Sequence, residues 1–361
     1  MAGKTHAASL PGEAWGHRAG RHGAERDLVA GVDRDAQTVT LMGGETLPFD
    51  FLVIATGAQT DWRGHDDWAR HACDLKTRAD AKHLSARLAQ LPPRAAIAIV
   101  GGGPTGVELA GALTDRQMDR TSPGVPWDAD IHLIEGGRDL LPSYRRGSRK
   151  AATRALAKRG VRLHLGARVE EMGKQGLQLS GERMAADLIV WAAGVKPVPL
   201  ADMLQTKVGH DGVLVTKQLT LADRGPAADR IFVVGDSADF SLAGAVLPKL
   251  APAAKEMGQF AGRVIAARAR GLQPPRKFRF SSPGQMAVIA QGEAVAELGP
   301  VSLSGEAAWA MWLAVHLAFL PGNDKRLRAF ARVARLPQRP QIIRSDPVLR
   351  LASPRSLKLA S

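Results

Sequence analysis

A glycine-rich turn between an apolar run and an amphipathic run constrains this chain more than any other feature. Residues 96–113 read AIAIVGGGPTGVELAGAL, so three glycines form the pattern G-x-G-x-x-G. The apolar run predicts a buried strand, and residues 107–118 predict a helix. Such a turn brings backbone amides and the positive end of a helix up to a pyrophosphate, whereas a turn without ligand is the less favoured alternative. The predicted dinucleotide-binding residues are Gly101, Gly102, Gly103, Pro104, Thr105 and Gly106.

An acidic residue, Glu135, ends the next apolar run, residues 131–135. A carboxylate at this strand end accepts hydrogen bonds from the adenosine ribose and repels a 2′-phosphate, so NADH is favoured over NADPH. The alternative is a solvated charge at a strand end.

Two weaker motifs follow other apolar runs. Thr56-Gly57 comes after residues 51–55, and Gly235-Asp236 comes after residues 231–234. Either motif alone could be a simple turn. In a dinucleotide-binding protein, a strand that ends in Gly-Asp places a carboxylate near ribityl or ribose hydroxyls, with a helix dipole near the phosphates.

The basic charge of the chain is concentrated at its C-terminal end. Lys and Arg exceed Asp and Glu by 49 to 35, a net charge of +14. Residues 321–361 hold ten Lys or Arg against Asp324 and Asp346, which gives +8. Nucleic acid is not the expected partner, because no DNA- or RNA-binding motif accompanies this charge. The single cysteine, Cys73, excludes a disulfide framework and a Cys-ligated zinc cluster, so no metal site is expected, and it fits a cytoplasmic setting.

Together these motifs resemble the FAD-dependent pyridine nucleotide oxidoreductases, most closely the type II NADH dehydrogenases. The segments that carry the resemblance, in family order, are residues 47–58, 99–113, 133–142, 186–200, 231–238 and 305–320. The resemblance implies an α/β, two-dinucleotide-binding (FAD/NAD(P)-binding Rossmann-like) fold. It also implies hydride transfer from NADH to flavin and then electron transfer to a membrane quinone. The flavin carries the difficult chemistry, so no side chain need be an acid, base or nucleophile.

The resemblance also assigns residues to the two nucleotides. The FAD side comprises Thr56, Gly57, Gly235 and Asp236, with Leu250 and Ala251 against the flavin ring. The NADH side comprises residues 101–106, Glu108, Glu135, Ala193 and Gly194. For Glu108 two interpretations stay open, a carboxylate that faces the nicotinamide and a carboxylate partnered within its own fold.

Two departures from the family pattern bear on function. The family opens with an FAD fingerprint, a strand, a second G-x-G-x-x-G and a helix, which this sequence lacks; it is therefore expected to be an N-terminally truncated reading or a weak FAD binder. In addition, Pro252, Glu256 and Met257 occupy the helix in which the family typically has Gln residues facing the quinone. This difference leaves the acceptor open.

The expected domains are an unpatterned segment 1–28, a remnant of the FAD domain 29–93, an NADH-binding domain 94–205, the second part of the FAD domain 206–275, and a C-terminal segment 276–361. Residues 325–336 place Leu327, Phe330, Val333 and Leu336 three apart with arginines between them, which predicts a helix on an anionic membrane surface. A helix docked on the protein or on a homodimer partner is the alternative. The expected location is cytoplasmic, peripheral on the inner face of the cell membrane.

Two other functions remain open from the sequence. One is a soluble NADH-dependent reductase of a ferredoxin-like or small-molecule acceptor. The other is a truncated, flavin-free NADH-binding protein without activity.

Overall fold

The computed structural model describes residues 5–8, 22–25, 27–118, 128–242 and 245–319. Its α-helices are Arg78–Ala89 (α1), Pro104–Met118 (α2), Arg146–Lys158 (α3), Ala201–Leu204 (α4), Ala251–Ala269 (α5) and Glu306–Phe319 (α6). Short 3-10 turns occupy Asp66–Arg70 and Gly235–Ser237.

The strands up to the end of α3 are Thr5–Ala8 (β1), His22–Glu25 (β2), Val29–Asp33 (β3), Thr38–Leu41 (β4), Thr46–Pro48 (β5), Leu52–Ile54 (β6), Ala58–Thr60 (β7), Cys73–Asp74 (β8), Ala96–Val100 (β9) and Asp130–Glu135 (β10). The later strands are Arg162–Leu165 (β11), Val169–Gly173 (β12), Gly176–Leu179 (β13), Glu182–Ala185 (β14), Leu188–Trp191 (β15), Val195–Pro197 (β16), Val213–Leu214 (β17), Ile231–Val233 (β18), Ala238–Asp239 (β19), Ser241–Leu242 (β20), Ala245–Val246 (β21), Gln285–Ala290 (β22), Glu293–Leu298 (β23) and Val301–Gly305 (β24).

These elements form two compact units. The described residues of Met1–Thr60 and Val195–Ser282 make the first unit, and those of Asp61–Gly194 and Pro283–Ser361 make the second unit. Each unit has its own apolar core.

A five-stranded parallel sheet in the order β11-β10-β9-β15-β8 organises the second unit. Strand β9 lies in the middle, and its residues Ile97, Ala98 and Ile99 are fully buried because both faces of the sheet are covered. Strand order reverses at β9, since the chain runs on to β10 on one side and to β15 on the other. The predicted parallel, doubly wound sheet is confirmed, and such a reversal leaves a ligand crevice at the carboxyl ends of the strands.

A second, antiparallel sheet in the order β22-β23-β24 also belongs to the second unit. It packs on α2, where a side chain at Gly111 would overlap the carbonyl oxygen of Ile289. Helix α6 packs on the same sheet through the buried residues Ala294, Ala296 and Ala308. No helix in the described part of the chain is long and apolar enough to span a membrane.

The first unit is built around the parallel pair β6 and β18, in which Leu52 faces Ile231 and Ile54 faces Val233. Helix α5 begins with Leu250 as its N-cap and Pro252 in its first turn. Proline is tolerated there because the first amides of a helix have no intrahelical partner, so the helix expected near residues 250–268 is confirmed. The large buried side chains of this core include Leu219, Phe232, Phe260 and Phe278.

The structure differs from the sequence expectation at two places. Residues 1–28 were expected to hold no regular element, yet β1 and β2 pair in parallel there. Backbone pairing of this kind requires no alternation of side chains, so the sequence pattern gave no sign of it. The expected domain boundary at residues 93–94 also differs, because β8 pairs with β15 and the second unit starts at Asp61.

Candidate dinucleotide sites

The glycine-rich loop joins the end of β9 to the start of α2 in the second unit. Gly101 has a φ of +117° and lies so close to Ala192 that a side chain would overlap its carbonyl oxygen. A side chain at Gly106 would likewise overlap the carbonyl oxygen of Gly101. A Cβ at Gly103, in contrast, would have no heavy atom within 4 Å. Two glycines therefore serve close backbone packing, and the third leaves open space where a pyrophosphate can approach the backbone.

Glu135 at the end of β10 braces this loop. Its Oε2 accepts a hydrogen bond from the Gly102 N at 2.6 Å, and its Oε1 accepts one from the Gly137 N at 2.6 Å. The backbone adds two further bonds, from the Gly101 N to the Ile134 carbonyl and from the Leu141 N to the Gly102 carbonyl, each at 2.8 Å. The carboxylate predicted for the adenosine ribose is therefore held beside the loop predicted for the pyrophosphate.

Ala193 and Gly194 follow β15 at the same edge of the sheet. Gly194 has a φ of +131°, a conformation that favours glycine. The Ala193 carbonyl accepts hydrogen bonds from the guanidinium of Arg63 at 3.0 Å and 3.3 Å. Arg63 is 130 positions from Ala193 and belongs to no motif, so it was not predicted from the sequence.

In the first unit the two weaker motifs lie next to each other, because β6 and β18 are parallel neighbours. The Thr56 Oγ1 and the Ser237 Oγ are 2.9 Å apart, and the Ser237 Oγ also lies 2.9 Å from the Gly57 carbonyl oxygen. Gly57 and Gly235 have φ values of +72° and +69°. Ser237, fully buried, is a second residue that sequence reasoning missed, although its position directly after Gly235-Asp236 was a usable signal.

The start of α5 meets the Gly235–Ser237 turn. The ammonium of Lys249 donates hydrogen bonds to the carbonyl oxygens of Asp211 at 2.8 Å and Asp236 at 3.2 Å. The bond to the Asp236 carbonyl holds the backbone of the Gly-Asp turn next to Lys249, the residue before the N-cap Leu250. Lys249 was also not identified from the sequence, since a single Lys before a helix is not a motif.

These residues fit an FAD whose ribityl and flavin portions lie in the first unit. A half-buried carboxylate, Asp236, and the N-cap of α5, Leu250, line one cleft, and a Cβ at the left-handed Gly57 would meet no atom within 4 Å. The only G-x-G-x-x-G in the sequence lies in the second unit, which fits the dinucleotide NADH there.

The carboxylate of Glu108 contacts the antiparallel sheet β22-β23-β24 of its own unit. Its Oε1 accepts a hydrogen bond from the Val288 N of β22 at 3.3 Å. Burial raises the pKa of this carboxyl, while the Val288 amide and the charge of His316 act in the opposite direction. This contact agrees with the interpretation of a carboxylate partnered within its own fold; the nicotinamide-facing role stays a prediction.

A cavity of about 430 Å³ lies elsewhere in the first unit, next to Arg34, Asp33 and Asp35. The buried Arg34 donates hydrogen bonds to Asp223 and to the carbonyl oxygens of Leu204, Gln205 and Pro226. Its guanidinium is therefore occupied within the fold, and we assign this cluster a structural role.

The amphipathic helix expected at residues 325–336 lies outside the described residues.

Comparisons with known proteins identify the family. The family model for "Pyridine nucleotide-disulphide oxidoreductase" matches residues 11–258, so the match begins within the segment expected to be unpatterned. The type II NADH:quinone oxidoreductase NdhA of Mycobacterium tuberculosis is 32% identical over 336 residues, which cover 83% of this chain and 70% of that protein. The type II NADH:quinone oxidoreductase Ndh of the same organism is 30% identical, over 78% of this chain and 65% of that protein.

A solved structure, NDH2 from Plasmodium falciparum in complex with NADH, superimposes with a TM-score of 0.76. The similarity covers 86% of this chain and 83% of that chain at 16% sequence identity, which supports the fold alone. The expected two-dinucleotide-binding fold is thereby confirmed, and the family match confirms FAD and NADH as the expected cofactor pair at the level of the family. The chain belongs to the pyridine nucleotide-disulphide oxidoreductase family, and it is an oxidoreductase related to the type II NADH dehydrogenases.

Proposed function

We propose that this chain is an FAD-dependent NADH:quinone oxidoreductase. The observation that carries the proposal is that each unit has one candidate nucleotide site at its strand ends. The second unit has the glycine-rich loop with Glu135 beside it, and the first unit has Thr56-Gly57 next to Gly235-Asp236. The names of the relatives support a quinone as the electron acceptor.

On the NADH side, the backbone amides at the start of α2 bind the pyrophosphate, which approaches at Gly103. The carboxylate of Glu135 accepts hydrogen bonds from the adenosine ribose. Ala193 and Gly194, at the carboxyl end of the adjacent strand β15, lie along the nicotinamide half. This order follows the sheet order β10-β9-β15.

On the FAD side, Asp236 accepts hydrogen bonds from ribityl or ribose hydroxyls, and Thr56 and Gly57 line the neighbouring strand end. Leu250 and Ala251 bring the positive end of α5 to the flavin ring, where it favours negative charge. Bound FAD supplies the redox centre that accepts hydride equivalents and releases electrons to a second acceptor. The protein's own contribution is to bind, orient and tune, and Lys249 fixes the turn that carries Asp236.

The acceptor side of the proposal rests on α6. Between Glu306 and Phe319 this helix has a single ionisable side chain, His316, whose ring stacks on Trp312 with centroids 4.1 Å apart. Trp309 and Met311 are half-buried against the β22-β23-β24 sheet. An apolar helix with tryptophans suits the boundary of a membrane, where the quinone is dissolved. We therefore propose a peripheral position on the inner face of the cell membrane.

A steady-state assay tests the proposed function. Purified chain saturated with FAD is expected to oxidise NADH when a short-chain quinone is present, with one quinone reduced per NADH. The Gly147→Ala variant is a matched control, because a Cβ at this α3 position meets no atom within 4 Å. NADH oxidation that proceeds equally well with a small ferredoxin but not with quinone would contradict the proposed acceptor. Absence of NADH oxidation with any acceptor would contradict the proposed reaction.

A further inference from the structure

The segment that opens the second unit is fastened to the carboxyl end of β15. The Asp61 N donates a hydrogen bond to the Gly194 carbonyl at 3.1 Å, and the Trp191 Nε1 donates one to the Asp61 carbonyl at 2.8 Å. The buried ring of Trp62 stacks on Trp191 with centroids 5.7 Å apart. Arg63, the next residue, is therefore held at the strand end that carries Ala193 and Gly194.

The guanidinium of Arg63 lies across this strand end. Its Nε and Nη2 share the Ala193 carbonyl oxygen, and its Nη1 is 3.3 Å from the Asp61 Oδ2. A Cβ on Gly194 would come within 2.7 Å of Nη2, so the guanidinium lies directly against Gly194. The side chain is nevertheless 63% exposed. Among the described residues, the two remaining N–H groups of this guanidinium have no acceptor.

The backbone of Arg63 shows that this position is held in place. Its φ of +56° lies in the left-handed region, which is unfavourable for a residue with a long side chain. The Arg63 N donates a hydrogen bond to the Asp61 Oδ1 at 2.9 Å, which stabilises the turn. Asp61 therefore orients both the backbone and the guanidinium of Arg63.

The location of Arg63 relative to the glycine-rich loop points to one half of a dinucleotide. Gly101 packs directly on the Ala192 carbonyl, so the segment that Arg63 contacts adjoins the loop. Glu135 stands at the end of β10, on one side of β9, and Ala193 follows β15, on the other side. A dinucleotide that crosses the carboxyl edge of such a sheet has its adenosine half near β10 and its nicotinamide half near β15.

We infer that Arg63 is a binding residue for the nicotinamide half of NADH, and that its free N–H groups bind the phosphate on that side. The inference rests on the proposed use of NADH. An exposed, already oriented guanidinium suits a phosphate oxygen, because its planar fork loses little freedom when it binds. The ion pair with Asp61 reduces the positive charge of Arg63 without occupying the whole guanidinium.

Affinity measurements on two arginine variants test this inference. Arg63→Ala is compared with Arg70→Ala, a control in the same unit whose side chain is 67% exposed and pairs with Asp67, three residues earlier. Affinities are measured for NADH and for AMP, which contains only the adenosine half. NADH binding is read from energy transfer between tryptophan and bound NADH, and AMP binding from its competition with NADH.

Arg63→Ala is expected to raise the Kd for NADH about tenfold and to leave the Kd for AMP within about twofold of wild type. The Kd of Arg63→Lys for NADH is expected to lie between those of wild type and Arg63→Ala. Arg70→Ala is expected to match wild type for both ligands. Equal NADH affinities of Arg63→Ala and Arg70→Ala would overturn the inference alone. Equal losses of NADH and AMP affinity in Arg63→Ala would also overturn it, because they would indicate a general disturbance of the unit. A wild-type chain that does not bind NADH would overturn the proposed function together with this inference.

Discussion

The Oε2 of Glu135 lies 2.6 Å from the backbone N of Gly102, so the acid at the end of β10 and the glycine-rich loop are joined by a direct hydrogen bond. The second oxygen of the same carboxylate accepts from the Gly137 N. The side chain of Glu135 thus orients the glycine-rich loop and also places negative charge at the edge of the sheet where the adenosine ribose is expected.

The negative charge of Glu135 is expected to select against NADPH. Glu135→Gln keeps one acceptor oxygen for the Gly102 N and removes the charge that repels a 2′-phosphate. The ratio of the Kd for NADPH to the Kd for NADH is expected to fall about tenfold, measured by titration of each nucleotide. Asp139→Asn is the control, since Asp139 is an exposed carboxylate four positions after Glu135 that pairs with Arg149. An unchanged ratio in Glu135→Gln would show that another group sets the preference.

A substitution at Gly103 is expected to weaken NADH binding without lowering the stability of the fold. A methyl group at this position meets no protein atom within 4 Å, but it would occupy the space through which the pyrophosphate reaches the backbone. Gly103→Ala should therefore keep the wild-type unfolding midpoint and lose at least about tenfold in NADH affinity. Gly147→Ala, also free of contacts, should keep both the stability and the affinity. If Gly103→Ala bound NADH as tightly as wild type, the predicted position of the pyrophosphate at this loop would be wrong.

The ion pair of Arg34 and Asp223 is expected to stabilise the first unit in neutral solution. Burial alone would raise the pKa of Asp223, but hydrogen bonds from Arg34, Thr206 and the Gly225 amide outweigh it and hold the pKa at about 2. Because this value is below the ordinary 3.8, the stabilisation is complete above pH 3.8 and is lost as the pH falls towards 2.

Replacing Asp223 with Asn leaves the Arg34 guanidinium, only 7% exposed, without its counter-charge. The free energy of unfolding at pH 7 should fall by about 3 kcal/mol, measured by urea denaturation followed by circular dichroism. Asp229→Asn, at a carboxylate that is 77% exposed, should change it by less than about 1 kcal/mol. Similar losses in the two variants would contradict the structural role of the Arg34 cluster.

The histidine pair on β10 and β11 is expected to make the second unit sensitive to acid. The His132 Nδ1 and the His164 Nε2 are 2.9 Å apart, and His132 is 8% exposed. Burial lowers the pKa of His132 to about 4, with contributions from His164 and Arg162; burial also lowers the pKa of His164. The unfolded chain therefore binds protons more readily, so stability is complete above pH 6.5 and is lost as the pH falls from 6.5 towards 4.

His132→Leu removes the buried titrating group and should flatten this pH dependence by up to about 3 kcal/mol. The measurement is urea unfolding at pH 7.5 and pH 4.5, followed by tryptophan fluorescence, to which Trp62, Trp68 and Trp191 of the same unit contribute. His83→Gln, an exposed position on α1, should leave the pH dependence unchanged. A wild-type pH dependence in His132→Leu would show that other groups cause the acid sensitivity.

The parts of the fold and of the sites that the sequence predicted are those set by local spacing. Gly101 to Gly106 occur between a strand and a helix, and a strand followed by Gly-Asp is a local pattern as well. The structure places each of these at a strand end, as expected. The assignment of Thr56-Gly57 and Gly235-Asp236 to FAD also depended on the order of the motifs along the chain, which matches the family, because neither motif is specific alone.

The features that the sequence did not predict depend on contacts between distant segments. Arg63 reaches the Ala193 carbonyl across 130 positions, and β8 joins the large sheet by pairing with β15. No short-range pattern encodes such contacts, so the domain boundary expected near residue 93 differs from the start of the second unit at Asp61. The hydrogen bond partner of Glu108 could not be predicted for the same reason, because the Val288 amide lies 180 positions later in the chain.

The visible spectrum of the purified chain, recorded without oxygen before and after addition of NADH, tests the central claim most directly. The proposed function predicts a flavin absorption band that bleaches with NADH and returns when a quinone is added. A chain that binds NADH but carries no flavin band, even after incubation with FAD, would contradict the assignment of the first unit to FAD.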